Sequence, residues 1–157
     1  MGIRYLAVSI DQQDFEHLSV GICASCGEEP QLRDLDWEDE ERRVTLDLDK
    51  SWGYFQSVLY SEPSRPSAAL VHGDVTHTSW GWRSYRGLID PAEAKRVADD
   101  LALVSVDLVR ERVLLNPRFG DDRAQQDFDY VCHFLPKAQE FTKQVADEGR
   151  AILYYIG

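Results

Sequence analysis

The chain predicts an α+β fold, a small mixed or antiparallel sheet packed with several helices, one of them long and near the C-terminus. Three observations predict it. Apolar segments of strand length stand near both ends and in the middle of the sequence. The expected order of strand, helix, loop, strand, helix, strands, helices, strand does not alternate as a doubly wound sheet requires. Apolar residues then recur at spacings of three and four from about Asp122 to Asp147. The 157 residues, 43% of them hydrophobic and including four Trp, seven Tyr and six Phe, suffice for one core. No internal repeat or long linker divides them, so residues 1–157 read as a single domain.

Ile3 to Ile10 carries apolar side chains on both faces with β-branched and aromatic content, the pattern of a strand inside a sheet. Asp11 or Asp14 can cap a short helix through about Leu18. Residues 28–43 hold eight acids and three bases without periodicity, which predicts a solvated excursion or an acidic docking surface. Val44, Leu46 and Leu48 alternate with Thr45, Asp47 and Asp49, so this strand has one apolar and one polar face. Asp49 stands where an N-cap belongs, ahead of a helix to about Tyr60 with Trp52, Phe55, Val58 and Leu59 on one face.

Pro63 and Pro66 break the chain, and Ala68 to Val71 reads as a strand. Asp90-Pro91-Ala92-Glu93 is a strong helix start, with Val97, Leu101, Val104 and Leu108 as its buried stripe and Ser105 able to cap a second piece. Asn116 to Gly120 is a turn cluster. The long helix that follows must kink or stop at Pro136, whose nitrogen has no hydrogen for Cys132. Gly149 ends it, and Ala151 to Ile156 is a short apolar strand.

A formal charge of -11 and an isoelectric point near 4.7 exclude nucleic acid and anionic membrane surfaces as natural partners. No apolar run approaches the roughly 20 residues of a bilayer span, and the start lacks a secretion signal. The location expected is cytoplasmic. Three cysteines, an odd count, predict reduced thiols rather than a disulfide scaffold.

Four groups of residues carry candidate chemistry. Asp47-Leu48-Asp49-Lys50-Ser51 has the spacing of haloacid-dehalogenase phosphotransferases, in which one aspartate attacks phosphorus, the other handles the proton and Mg2+ neutralises charge. Gly120-Asp121-Asp122 mimics their later metal-binding acids. That chemistry wants the aspartate at the tip of a buried parallel strand, and Glu41-Arg42-Arg43-Val44-Thr45-Leu46 is not the unbroken apolar run of one. Cys23 and Cys26, spaced by two, supply half a zinc site that Cys132 with His133 or His17 can complete. Redox use of the pair is the other option. His72 and His77, with Asp74 between them, are a metal-ligating combination, but Gly73 and the polar residues after it predict a loop in which the side chains diverge and play a structural or solvent role. Ser79-Trp80-Gly81-Trp82-Arg83-Ser84-Tyr85-Arg86 combines aromatics and arginines as the rim of a site for a planar or anionic group does. The competing reading packs those tryptophans on the sheet and sets the arginines against nearby acids.

The sequence resembles the YfbM-like family, small bacterial cytoplasmic proteins with a domain of unknown function. The resemblance rests on Met1 to Tyr5, the element Leu46-Asp47-Leu48-Asp49-Lys50-Ser51-Trp52, Ala69-Leu70-Val71-His72-Gly73, Leu88-Ile89-Asp90-Pro91-Ala92-Glu93-Ala94 and Gly149 to Ile156. It covers nearly the whole chain and implies an α+β fold with no established activity. Where the family tends to have a Gly-Tyr-Gly-Pro-x-Arg-like segment, this chain has Gly81-Trp82-Arg83-Ser84-Tyr85-Arg86.

The expectation is a non-enzymatic binding or interaction domain without cofactor or resident metal, recognising a protein partner or small ligand. Lys50, Trp52, Trp80, Trp82, Arg83, Tyr85 and Arg86 are its expected recognition surface. An immunity-like role suits the acidity, because such proteins cover basic enzymes. The alternative is a metal-dependent enzyme acting on a phosphate or other anion through Asp47 and Asp49.

Overall fold

Strand β1 (Tyr5–Ile10) lies inside a four-stranded antiparallel sheet ordered β2-β1-β6-β5, with β2 (Thr45–Asp49) and β5 (Tyr85–Ile89) as its outer strands and β6 (Ala151–Ile156) at its centre. The computed structural model describes residues 2–21, 43–60, 65–114 and 121–157. The inner strands are apolar on both sides because both sides are covered. Tyr5, Ala7, Ile152, Tyr154 and Ile156 join the main core, whereas Val8, Ile10, Ala151 and Leu153 face the other way and pack with Leu18. The outer strand β2 is covered on one side only and alternates, with Leu46 and Leu48 buried and Thr45 and Asp47 exposed.

Helix α1 (Gln12–Gly21) follows β1, and the Asp11 carboxylate accepts the backbone N–H of Asp14 at 2.8 Å as its cap. It covers the smaller cluster. Helices α2 (Trp52–Leu59), α3 (Pro91–Leu101), α4 (Val106–Leu114) and α5 (Asp121–Asp147) build the main core on the opposite face. Asp90 caps α3 by accepting from the Glu93 N–H at 2.7 Å, and Ser105 caps α4 by accepting from Leu108. Gln139 of α5 donates to the carbonyls of Leu101 and Val104 and so ties α5 to the turn between α3 and α4. Gly149 closes α5 at φ 64°, with the Gly149 and Arg150 N–H groups returning to Ala146 and Val145.

Several expectations need correction. Asp49 is not the cap of α2: the helix begins at Trp52 after Ser51, whose hydroxyl donates to Leu48, and Asp49 adopts φ 49° with its carboxylate turned elsewhere. Residues Pro66–Val71 form a 3₁₀ helix, not a strand. A short apolar run does not distinguish the two, and here Pro66 starts the turn while Arg65 and Ser67 anchor it to Asp100 on α3. Pro136 does not interrupt α5, since only one donor to Cys132 is lost and Val131, Leu135, Ala138 and Phe141 are buried on either side of it. The polar residues after Gly73 pass from a short loop into strands. The segment 76–89 forms a separate hairpin of β3 (Thr76–Thr78) and β4 (Gly81–Arg83), then runs into β5. The turn residues Ser79 and Trp80 carry no Asn-Gly signal. Cys23, Cys26, most of the acidic segment 28–43, Pro63 and the turn at residues 116–120 lie outside the described residues.

Candidate functional site

The outer strands place chemistry-bearing residues on two opposite edges of the sheet. At the β2 edge the pairing with β1 slips by one residue: Tyr5 opposes Asp49 and Leu6 opposes Asp47, leaving Leu48 extra. Among the described residues Asp49 is the one non-glycine residue with positive φ, a conformation that aspartate tolerates better than most residues. The Asp47 carboxylate accepts the Asp49 N–H at 2.6 Å and pairs with Arg4 at 3.0 Å. Asp49 takes the Tyr130 hydroxyl of α5 at 2.5 Å and Arg4 at 3.0 Å. The Tyr130 hydrogen bond holds the Asp49 carboxyl below the usual carboxylate range, with Arg4 and Lys50 adding to it.

This is a self-satisfied junction. Both aspartates share one arginine, and their strand is an outer antiparallel one, not the buried parallel strand an aspartyl-phosphate mechanism needs. No group of three or more His, Cys, Asp or Glu among the described residues is placed to hold a metal ion. The zinc set drawn from both Cys132 and His17 does not assemble, because α5 and α1 lie on opposite faces of the sheet. Burial pushes the Cys132 thiol up, away from reactivity. His133 instead approaches Lys137 at 2.9 Å, and His77 sits on β3 opposite Trp82 while His72 turns toward Tyr60.

At the β5 edge lies a cleft of about 570 Å3 between β5, the 3₁₀ helix and the first turns of α3. Tyr60, His72 and Tyr85 line one part of it, and Glu93 and Arg96 of α3 another. Gly87 and Tyr154 are among its most buried lining residues. Five rings run in sequence through this region. Tyr5 stacks on Tyr154 with centroids 5.6 Å apart, Tyr154 meets Tyr85 at 6.2 Å, Tyr85 meets the His72 ring at 6.2 Å and His72 meets Tyr60 at 6.4 Å.

Two glycines make room for these rings. A Cβ at Gly87 would stand 1.9 Å from the Tyr154 ring, and one at Gly73, held at φ 93°, would stand 2.4 Å from Tyr85. Tyr154 donates to the His72 carbonyl at 2.9 Å and Tyr5 to the Leu70 carbonyl at 2.8 Å. Burial pushes the Tyr154 phenol far up and the Tyr60 phenol upward too, so these two hydroxyls stay neutral. Arg65 lines the cleft but is held by Asp100 at 2.9 Å, with the Ser67 hydroxyl on the same carboxylate.

The recognition residues expected from the sequence separate in space. Trp52 is 7% exposed and belongs to the core, its indole N–H directed at the Ile3 carbonyl at 3.4 Å, so it is no part of a recognition surface. Lys50 is exposed beside Asp49 at the β2 junction. Trp80 and Trp82 are 98% and 44% exposed on the hairpin, where Arg83 is exposed as well. Arg86 pairs with Tyr155 in the sheet, and Tyr85 alone of the seven lines the cleft. Sequence reading missed Tyr60, Tyr154, Glu93 and Arg96. One signal was present: the strong cap at Asp90 puts Glu93 and Arg96 on one face of α3, three residues apart.

No helix among the described residues is long and apolar enough to cross a membrane. The chain is similar over 98% of its length, and over 99% of that chain, to the crystal structure of YfbM from Escherichia coli, a protein of unknown function, with a TM-score of 0.63 and 15% identity. This shows the fold. Over 94 residues it is 31% identical to a protein named ribonuclease PH from Synechococcus, a match that takes in 59% of this chain and 36% of that protein. Residues 1–155 match the family described as a domain of unknown function, DUF1877. The α+β architecture, the long C-terminal helix and the match across almost every residue together assign the chain to this YfbM-like family.

Proposed function

We propose that the chain is a cytoplasmic, non-enzymatic binding domain that recognises a protein partner through the β3–β4 hairpin. The observation that carries this is the pair of tryptophans left in water. Every residue of both hairpin strands is exposed, and Trp80 presents almost its whole surface to solvent at the turn. Tryptophan and arginine are the side chains on which interface energy concentrates, and Trp80, Trp82 and Arg83 are displayed on one ribbon. A charge of -11 supports a partner with a basic surface, the relation in which immunity proteins cover their enzymes. The same charge opposes an RNA substrate, and the ribonuclease likeness spans about a third of that protein.

The test is native mass spectrometry of the full chain isolated from its own cells, followed by reconstitution with the purified partner. Expected is a defined complex with a basic protein that Trp80→Ala combined with Trp82→Ala weakens at least about 100-fold. A partner that binds the double variant as tightly as the wild type overturns the hairpin as the recognition element.

A further inference from the structure

The cleft at the β5 edge has a chemical character of its own, separate from the hairpin. Glu93 and Arg96 stand three residues apart on α3 and both line it. Elsewhere in the molecule opposite charges three or four residues apart on a helix form ion pairs: Arg110 with Asp107 at 2.7 Å, Lys95 with Asp99 at 2.9 Å and Lys143 with Asp147 at 2.5 Å. Among the described residues Glu93 and Arg96 form no such pair, with each other or with another side chain. Arg65 is neutralised by Asp100, so among the described residues the cleft presents Arg96 as an available cation and Glu93 as an available anion about a helical turn apart.

Tyr60, His72 and Tyr85 add ring edges and faces, and Gly87 and Ile89 add apolar lining. The volume of about 570 Å3 falls among those of small-molecule sites.

We propose that this cleft binds a small zwitterion bearing a planar ring, a free aromatic amino acid by chemical class. The Arg96 guanidinium takes the carboxylate, Glu93 takes the ammonium, and the ring lies against Tyr85, His72 and Tyr60. A simple anion leaves Glu93 unanswered beside it. A simple amine does the same to Arg96. The zwitterion satisfies both, which is why the unpaired Glu93 and Arg96 point to it rather than to either charge alone.

Isothermal titration of the full chain tests this with L-phenylalanine, L-tyrosine and L-tryptophan, and with phenylpropionate and phenethylamine as analogues lacking one charge. Saturable binding of at least one amino acid is expected, with each analogue at least about tenfold weaker. Arg96→Gln is expected to weaken the amino acid about tenfold while leaving phenethylamine unchanged, and Glu93→Gln to weaken the amino acid about tenfold while leaving phenylpropionate unchanged. Absence of saturable binding for all three amino acids, analogues as tight as the amino acids, or indifference to both substitutions overturns the proposal. Because the wild-type chain alone decides the analogue series, the proposal stays falsifiable even if a variant folds poorly.

Discussion

The two outer strands of one sheet meet opposite fates. At the β2 edge, Asp47, Asp49, Arg4 and Tyr130 close on one another, so residues with the look of a phosphoryl-transfer motif hold a bulged strand to α5. At the β5 edge, Glu93 and Arg96 line a cleft and form no ion pair among the described residues, and the hairpin leading into β5 leaves Trp80 and Trp82 exposed. Residue type is thus a weaker guide to function than whether the fold has already satisfied the residue. A carboxylate bound by a tyrosine and an arginine is architecture; an exposed tryptophan on a ribbon is capacity not yet used.

The sharpest way to probe the contrast is stability. Gly87→Ala pushes a methyl group into the Tyr154 ring beneath the cleft and is expected to cost about 3 kcal/mol in urea unfolding. A near-neutral result would mean that the rings are loosely held. Asp49→Ala should cost about 2 kcal/mol, since it removes the Tyr130 and Arg4 contacts and leaves alanine at positive φ.

Tyr130→Phe removes the hydroxyl alone and should cost about 1 kcal/mol near neutral pH. The pH dependence has a definite sign. The Asp49 carboxyl is held below its ordinary value of 3.8, so its contribution is fully present above that value and is lost as pH falls through the lowered one. Asp100 behaves likewise, because hydrogen bonds from Arg65 and Ser67 outweigh the opposing effect of burial. Wild-type stability should therefore decline in strong acid, and Tyr130→Phe should shrink that decline without removing it. Trp80→Ala closes the series: at 98% exposure it should change stability by no more than about 0.5 kcal/mol. A larger loss would mean that the hairpin tip supports the fold, and the two edges would no longer differ.

Much of the fold was legible in local pattern. The alternation of Val44 to Asp49, the Asp90-Pro91-Ala92-Glu93 cap, the Ser105 break and Gly149 all gave structure near where they stand, since caps and one-sided burial act over a few residues. The 3₁₀ helix was not legible, because Arg65 and Ser67 are held by Asp100, more than thirty positions away. Nor was the true role of Asp49, which depends on Tyr130, eighty-one positions along the chain. The Trp-Arg segment lies on a surface hairpin, whereas Lys50 stands at a junction and Trp52 in the core, so nearness in residue type is not nearness in space. The cleft brings Tyr60, His72, Tyr85, Glu93 and Tyr154 together from separate elements, and no local spacing announces that.

The central claim is that recognition belongs to the hairpin side and structure to the aspartate junction. The most direct measurement is the affinity of the purified partner for three forms of the chain: wild type, Trp80→Ala with Trp82→Ala, and Asp47→Asn with Asp49→Asn, each checked for folding by circular dichroism. The account predicts that the tryptophan variant loses binding at least about 100-fold while the aspartate variant binds as the wild type does. Binding kept by the tryptophan variant and lost by the folded aspartate variant would contradict it.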